Sequence, residues 1–305
     1  MGNPVNTVFD KLPGGLILLD GGMGQELINR GASGQGVLWS AKALIDHPEA
    51  VQAVHEDYIR AGADIITTYS YACIRNNFEP EGLLERLGEM NHLAAQLAQR
   101  ARDNCGRQVL IAGSMGPQYG SYRPDLVQSY AKTEALYREQ AEFLAPHVDL
   151  FICETLSCIT EARAAVSAAM STGIPVWLSW SIADSGVANL RSGEPIADAW
   201  ADVADSDVSA VLLNCSPPEA ISKVLPALVS LSTVPVGAYA NAFTPIPEKW
   251  DFHGDESIPP PRTDVTPRAY SEYAAGWWKA GARIIGGCCE VGPAHIAALH
   301  QILRG

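Results

Sequence analysis

The chain has 305 residues, 47% of them hydrophobic and 18% charged, with a formal net charge of -13. That length and composition provide for a large buried core and exclude a disordered chain. The negative charge repels phosphate backbones and anionic headgroups, which excludes nucleic acid and membrane as expected partners and favours a small-molecule substrate.

The first segment, MGNPVNTVFDKLPGG, has no basic start, apolar run or small-residue cleavage site, and Asn6 stands where an N-terminal lipidation motif wants Ser or Thr. No apolar run approaches the roughly 18 residues of a membrane span. Seven cysteines, an odd number in a chain with an ample core, argue against a disulfide framework and for a reducing cytoplasm.

Short apolar or β-branched runs then recur, each followed by a stretch of helical period. In chain order, strands are predicted over 16–20, 64–68, 109–113 and 149–153, and in the second half over 176–180, 210–214, 234–239 and 283–287. Helices are predicted between them over 48–61, 84–103, 126–145, 158–171, 195–204, 218–230 and 267–280. Eight alternating units predict an α/β fold, a (β/α)8 TIM barrel, as a single domain over 1–305. A doubly wound open sheet fits less well, because DGGMG at 20–24 lacks the G-x-G-x-x-G spacing. A proline-rich loop over 243–262 follows the seventh strand, and its Trp250 and Phe252 could cover a substrate.

Active sites of such barrels sit where the strands end. Cys215 follows strand six and Cys288 and Cys289 follow strand eight, so the three can meet at one mouth and hold zinc with a fourth position open. Adjacent residues of a regular strand point to opposite faces, so the backbone must leave extended geometry there, which Gly286 and Gly287 permit. Three thiolates make a metal a poor Lewis acid but leave a bound thiol deprotonated and nucleophilic, which suits alkyl transfer to sulfur. Cys73, Cys105, Cys153 and Cys158 have no comparable arrangement. Tyr69, Tyr71 and Trp180 stand at strand ends, where an aromatic face could meet a cationic donor or simply fill the core.

GGCC at 286–289, NC at 214–215, DGGMGQEL at 20–27, LWSAK at 38–42 and CETL at 153–156 resemble the homocysteine S-methyltransferase family over nearly the whole chain. The resemblance implies a zinc-binding barrel in which Cys215, Cys288 and Cys289 are the ligands and the homocysteine sulfur takes the fourth position. It also implies that Asp20 and Glu154 hold the amino-acid end of homocysteine. Glycines at Gly21 and Gly22 would let backbone amides approach the substrate carboxylate. Capping of the following helices is the competing role for Asp20 and Glu154. Asn214 would bind the ligand, position Cys215 or serve as a buried amide, and Tyr71 is a further candidate for substrate contact.

The compact length and LWSAK resemble the S-methylmethionine branch more than the betaine branch, with S-methylmethionine the first candidate donor and S-adenosylmethionine the next. TYSYACIRNNF at 68–78 and GSMGPQYGSY at 113–122 depart from that branch's usual loops. Two other readings stay open from the residues alone: a zinc hydrolase and a non-catalytic thiol-binding zinc protein. The hydrolase would want His or carboxylate ligands, and no H-E-x-x-H is present. The sequence leaves the oligomeric state open.

Overall fold

The computed structural model describes residues 15–32, 39–247, 250 and 258–305, with the side chains of 39–41 left aside. Its eight strands are β1 (Ile17–Leu18), β2 (Ile65–Thr67), β3 (Leu110–Met115), β4 (Leu150–Leu156), β5 (Val176–Trp180), β6 (Ala210–Asn214), β7 (Val236–Tyr239) and β8 (Ile284–Ile285). All pair in parallel in the order β1-β8-β7-β6-β5-β4-β3-β2. A bridge between Leu19 and Ile65 joins the two ends, so the sheet closes into the (β/α)8 barrel.

Strands buried on both faces need apolar residues at every position, which is why they read as unbroken apolar runs. Ile17, Leu19, Ile65, Ile152, Trp177 and Leu212 fill the barrel interior. The alternate residues, among them Leu18, Ile66, Leu178 and Val211, pack outward against the helices.

The helices are α1 (Met23–Asn29), α2 (Trp39–Asp46), α3 (Pro48–Ala61), α4 (Arg75–Phe78), α5 (Leu87–Cys105), α6 (Tyr130–Leu144), α7 (Ile159–Met170), α8 (Ile196–Val203), α9 (Pro218–Leu231), α10 (Pro267–Lys279) and α11 (Pro293–Arg304). Seven match the predicted ranges within a few residues, whereas α1, α2, α4 and α11 were not among them. The last helix also staples the barrel floor. Arg304 pairs with Asp64 and donates to the Leu16 carbonyl, while Asp64 accepts the Leu18 amide at 2.8 Å. That network lies across the β1–β2 seam.

The candidate active site at the barrel mouth

Cys215 follows β6, and Cys288 and Cys289 lie beyond β8, in irregular backbone that turns at Cys289. Their sulfurs converge: Cys288 to Cys215 is 2.8 Å, Cys215 to Cys289 is 3.7 Å and Cys288 to Cys289 is 3.9 Å. Bonds of about 2.3 Å to a tetrahedral zinc put thiolates about 3.8 Å apart. Two of the three spacings meet that value, and a parting of about 1 Å between Cys288 and Cys215 completes the set. Among the described residues this is the one group of three metal-competent side chains.

The departure from extended backbone is present, but the glycines serve it through close packing. A Cβ at Gly286 would stand 2.5 Å from the Leu19 side chain, and one at Gly287 would stand 2.1 Å from Val291. Gly21 and Gly22 follow the same logic. A Cβ on Gly21 would fall 2.0 Å from the Val291 carbonyl oxygen and one on Gly22 would fall 2.6 Å from that of Cys288. The Gly22 amide donates to the Val291 carbonyl at 3.0 Å and is therefore already spent. Both glycines line the cavity, but what they secure is the approach of the first loop to the cysteine loop.

The cavity has a volume of about 130 Å³. Asp20 and Glu154, both buried, line the same cavity as the thiols. Asp20 accepts the Thr67 amide at 2.7 Å and the Thr67 hydroxyl at 3.1 Å. It does not cap α1, whose N-cap residue is Gly22. Burial pushes its carboxyl up to about 8, against the hydrogen bond from the Thr67 amide and with the help of the nearby Glu154 charge.

Glu154 lies inside β4 rather than at the start of the next helix, since the strand runs on to Leu156. The register of β4 slips between Cys153 and Leu156, and Thr155 has φ of 62°. A bulge of this kind re-aims a side chain beside a site, and here it sends Glu154 to the mouth. Its oxygens accept from the Ser114 hydroxyl and, at 3.1 Å, from the Tyr239 hydroxyl. Burial pushes the carboxyl up to about 7, although both hydroxyls lower it. No Lys, Arg or His lines the cavity among the described residues. Two acids thus share the cavity with no cation among its described lining residues.

Asn214 does not line the cavity. Its Oδ1 accepts the Thr155 amide at 2.9 Å and the Ser179 hydroxyl at 2.7 Å, and its Nδ2 donates to Thr155 Oγ1 at 2.8 Å. It braces the bulge that presents Glu154, which is the buried-amide role among the three open to it from the sequence. Trp180 is also displaced from the site. It faces the helices with Val176 and Leu178, because alternation along β5 turns Trp177 inward instead. Tyr69 and Tyr71 do line the cavity, and Tyr71 is hydrogen-bonded to Ser121 at 2.8 Å. Trp250 is buried over the thiols with Phe243, Ile246 and Ile258, while Phe252 lies outside the described residues.

Sequence reasoning missed Tyr122. Its hydroxyl is 2.8 Å from Cys215 Sγ, its ring packs 5.9 Å from that of Trp250, and the Arg191 guanidinium lies 4.4 Å over its face. Burial opposes charge on Cys215, yet hydrogen bonds from Cys288, Cys289 and Tyr122, with the Arg191 charge, hold its thiol well below the usual range. Cys288 and Cys289 are held well above it, first by their hydrogen bonding to Cys215. Among the described residues, the non-glycine residues of positive φ are Tyr122, Thr155, Cys215 and Glu290. The first three line the cavity and the last adjoins Cys289, a clustering of backbone strain typical of functional sites.

Fold and site together define a TIM-barrel enzyme with a three-thiol, metal-competent mouth. The family model for homocysteine S-methyltransferase matches residues 17–303, and the chain belongs to that family. It is a homocysteine S-methyltransferase by that membership. The homocysteine S-methyltransferase of Escherichia coli is 34% identical over 97% of both chains. The homocysteine S-methyltransferase YbgG of Bacillus subtilis is 31% identical over 96% of both. The selenocysteine methyltransferase of Astragalus bisulcatus is 31% identical over 99% of this chain and 97% of its own. Among solved structures, the metallated form of the E. coli homocysteine methyltransferase MmuM superposes with a TM-score of 0.83 at 31% identity, covering 98% of this chain and 100% of the other. The hydrolase and non-catalytic readings are not favoured by these relatives.

Proposed function

We propose that the chain, as one homocysteine-binding domain over 1–305, moves a methyl group from a sulfonium donor to the thiol of homocysteine, giving methionine. S-methylmethionine is the first candidate donor and S-adenosylmethionine the second. The observation that carries the reading is that three converged thiols and two buried carboxylates line one cavity that has no Lys, Arg or His among its described lining residues. That is the complement of a molecule with a thiol at one end and an ammonium at the other.

Cys215, Cys288 and Cys289 would hold zinc, which supplies deprotonation of the substrate thiol at neutral pH. Asp20 and Glu154 take the substrate ammonium, and that cation offsets the cost of burying their charge. Thr67, Ser114 and Tyr239 orient the two carboxylates by the hydrogen bonds described above. Tyr71, Tyr122, Trp250 and Phe243 give the cavity an aromatic wall, which suits a sulfonium through cation-π attraction. Transfer neutralises the donor's positive charge, so a mouth that keeps water out favours the step. No helix among the described residues is long and apolar enough to cross a membrane. With no disulfide among the seven cysteines, a reducing cytoplasm suits the reading.

The test is to incubate zinc-loaded protein with homocysteine and each of S-methylmethionine, S-adenosylmethionine and betaine, and to measure methionine. Fastest formation with S-methylmethionine is expected. No methionine with any donor would overturn the proposal.

A further inference from the structure

Cys215 stands at φ of 47° with its sulfur in the thiol cluster, a conformation that costs free energy unless neighbours impose it. The Cys215 amide donates to the Tyr239 carbonyl at 3.2 Å, and two further contacts lead to one side chain. The Tyr122 hydroxyl meets the sulfur at 2.8 Å, and the Ser181 hydroxyl donates to the Cys215 carbonyl at 3.4 Å. Arg191 Nε donates to that same Ser181 oxygen at 2.7 Å, and its guanidinium covers the Tyr122 ring at 4.4 Å.

The guanidinium is itself fixed by Asp184 at 2.6 Å, in a pair of which Arg191 is only 11% exposed. The second Asp184 oxygen accepts the Ile246 amide at 3.3 Å, and Ile246 packs with Tyr122, Cys215 and Trp250. A planar fork can serve a hydroxyl, a carboxylate and an aromatic face at once, which an ammonium cannot.

We infer that Arg191 is a positioning residue for Cys215: through Tyr122 it sets where the sulfur stands, and through Ser181 it sets the backbone that carries it. This rests on the proposed role of Cys215 as a metal ligand. Neither Arg191 nor Tyr122 was drawn from the sequence. Partners one shell out from a ligand typically govern metal affinity by tenfold to a hundredfold.

The experiment measures zinc affinity by chelator competition and the sulfur-to-metal charge-transfer band of the cobalt-loaded protein, for wild type, Tyr122→Phe, Arg191→Met and the double variant. Arg75→Met, which breaks the half-buried ion pair with Glu139, controls for loss of an arginine–carboxylate pair elsewhere in the fold. Tyr122→Phe is expected to weaken zinc binding about tenfold and to shift the band, Arg191→Met to do at least as much, and Arg75→Met to do neither. The double variant should bind no more weakly than Arg191→Met, since both changes lie on one path; losses that multiply would overturn the series. Should Arg191→Met fail to fold, Tyr122→Phe decides by itself, for it removes one hydroxyl. Wild-type affinity and an unshifted band in Tyr122→Phe would overturn the inference. A wild-type protein that holds no metal would instead overturn the ligand reading beneath it.

Discussion

Binding of an amino acid should expel protons from the pair of buried acids, and the amount follows from their environment. A carboxyl raised to about 8 is about nine-tenths protonated at pH 7 and one raised to about 7 is half protonated, so Asp20 and Glu154 together carry roughly 1.4 protons. An ammonium placed between them favours both charged forms and drives those protons off. Methionine isolates the effect, because it brings the ammonium without a thiol of its own. Titration calorimetry in two buffers of different ionisation enthalpy should show release approaching about 1.4 protons at pH 7 and about 2 at pH 5.5. Glu154→Gln should cut the release at pH 7 to below about 0.9, since losing the Glu154 charge also lets the Asp20 carboxyl fall, and weaken binding by about 1.5–3 kcal/mol, the value of a hydrogen bond to a charged group. Binding of methionine without proton release at either pH would refute the placement of the ammonium at these acids.

Stability should depend on pH through the same two groups and through Glu161, buried in α7. Burial raises the folded-state pKa of Asp20 to about 8 and those of Glu154 and Glu161 to about 7. The folded protein thus keeps protons that the unfolded chain has lost above about pH 4, and stability falls as pH rises from about 4 through about 8. His55, which burial pushes down to about 3, acts in the opposite sense below about 6.5. The urea midpoint is expected to be lower at pH 8.5 than at pH 6.5, and a higher one would contradict the assignment. Arg304→Met should cost about 2 kcal/mol in urea unfolding, by stranding Asp64 at the β1–β2 seam, while leaving kcat unchanged. A loss below about 0.5 kcal/mol would show that the staple is idle. Asn214→Ala should cost about 1–3 kcal/mol by leaving the buried Thr155 amide unpaired, and should raise the KM for homocysteine as the bulge under Glu154 slackens. An unchanged KM would detach Asn214 from the site.

The strands were legible because a parallel barrel buries both strand faces, so each reads as an apolar run ended by a turn. Helices with a capped, amphipathic span, such as α3 and α10, were legible for the same reason of period. Short α1 and α4 were not, since seven and four residues carry too little period to stand out. The cysteines announced themselves by residue type. Glu154 was visible as a carboxylate but misplaced at a strand end, because a charged residue ordinarily closes an apolar run. The bulge that keeps it in β4 depends on Asn214, distant in sequence. Of the two roles open to Trp180, the core one holds: being at a strand end does not decide which face a side chain takes, and parity with Val176 and Leu178 turns it outward against the helices. Tyr122 and Arg191 lie on loops beyond β3 and β5, where no periodicity constrains position. Only the folded mouth brings them to Cys215.

The most direct test of the account is to measure zinc content and methionine formation together in wild type and Cys288→Ala. The account predicts one zinc per chain and turnover in wild type, and loss of both in the variant, since two thiols and a methyl group cannot hold the ion. A variant that kept zinc and full turnover would contradict it.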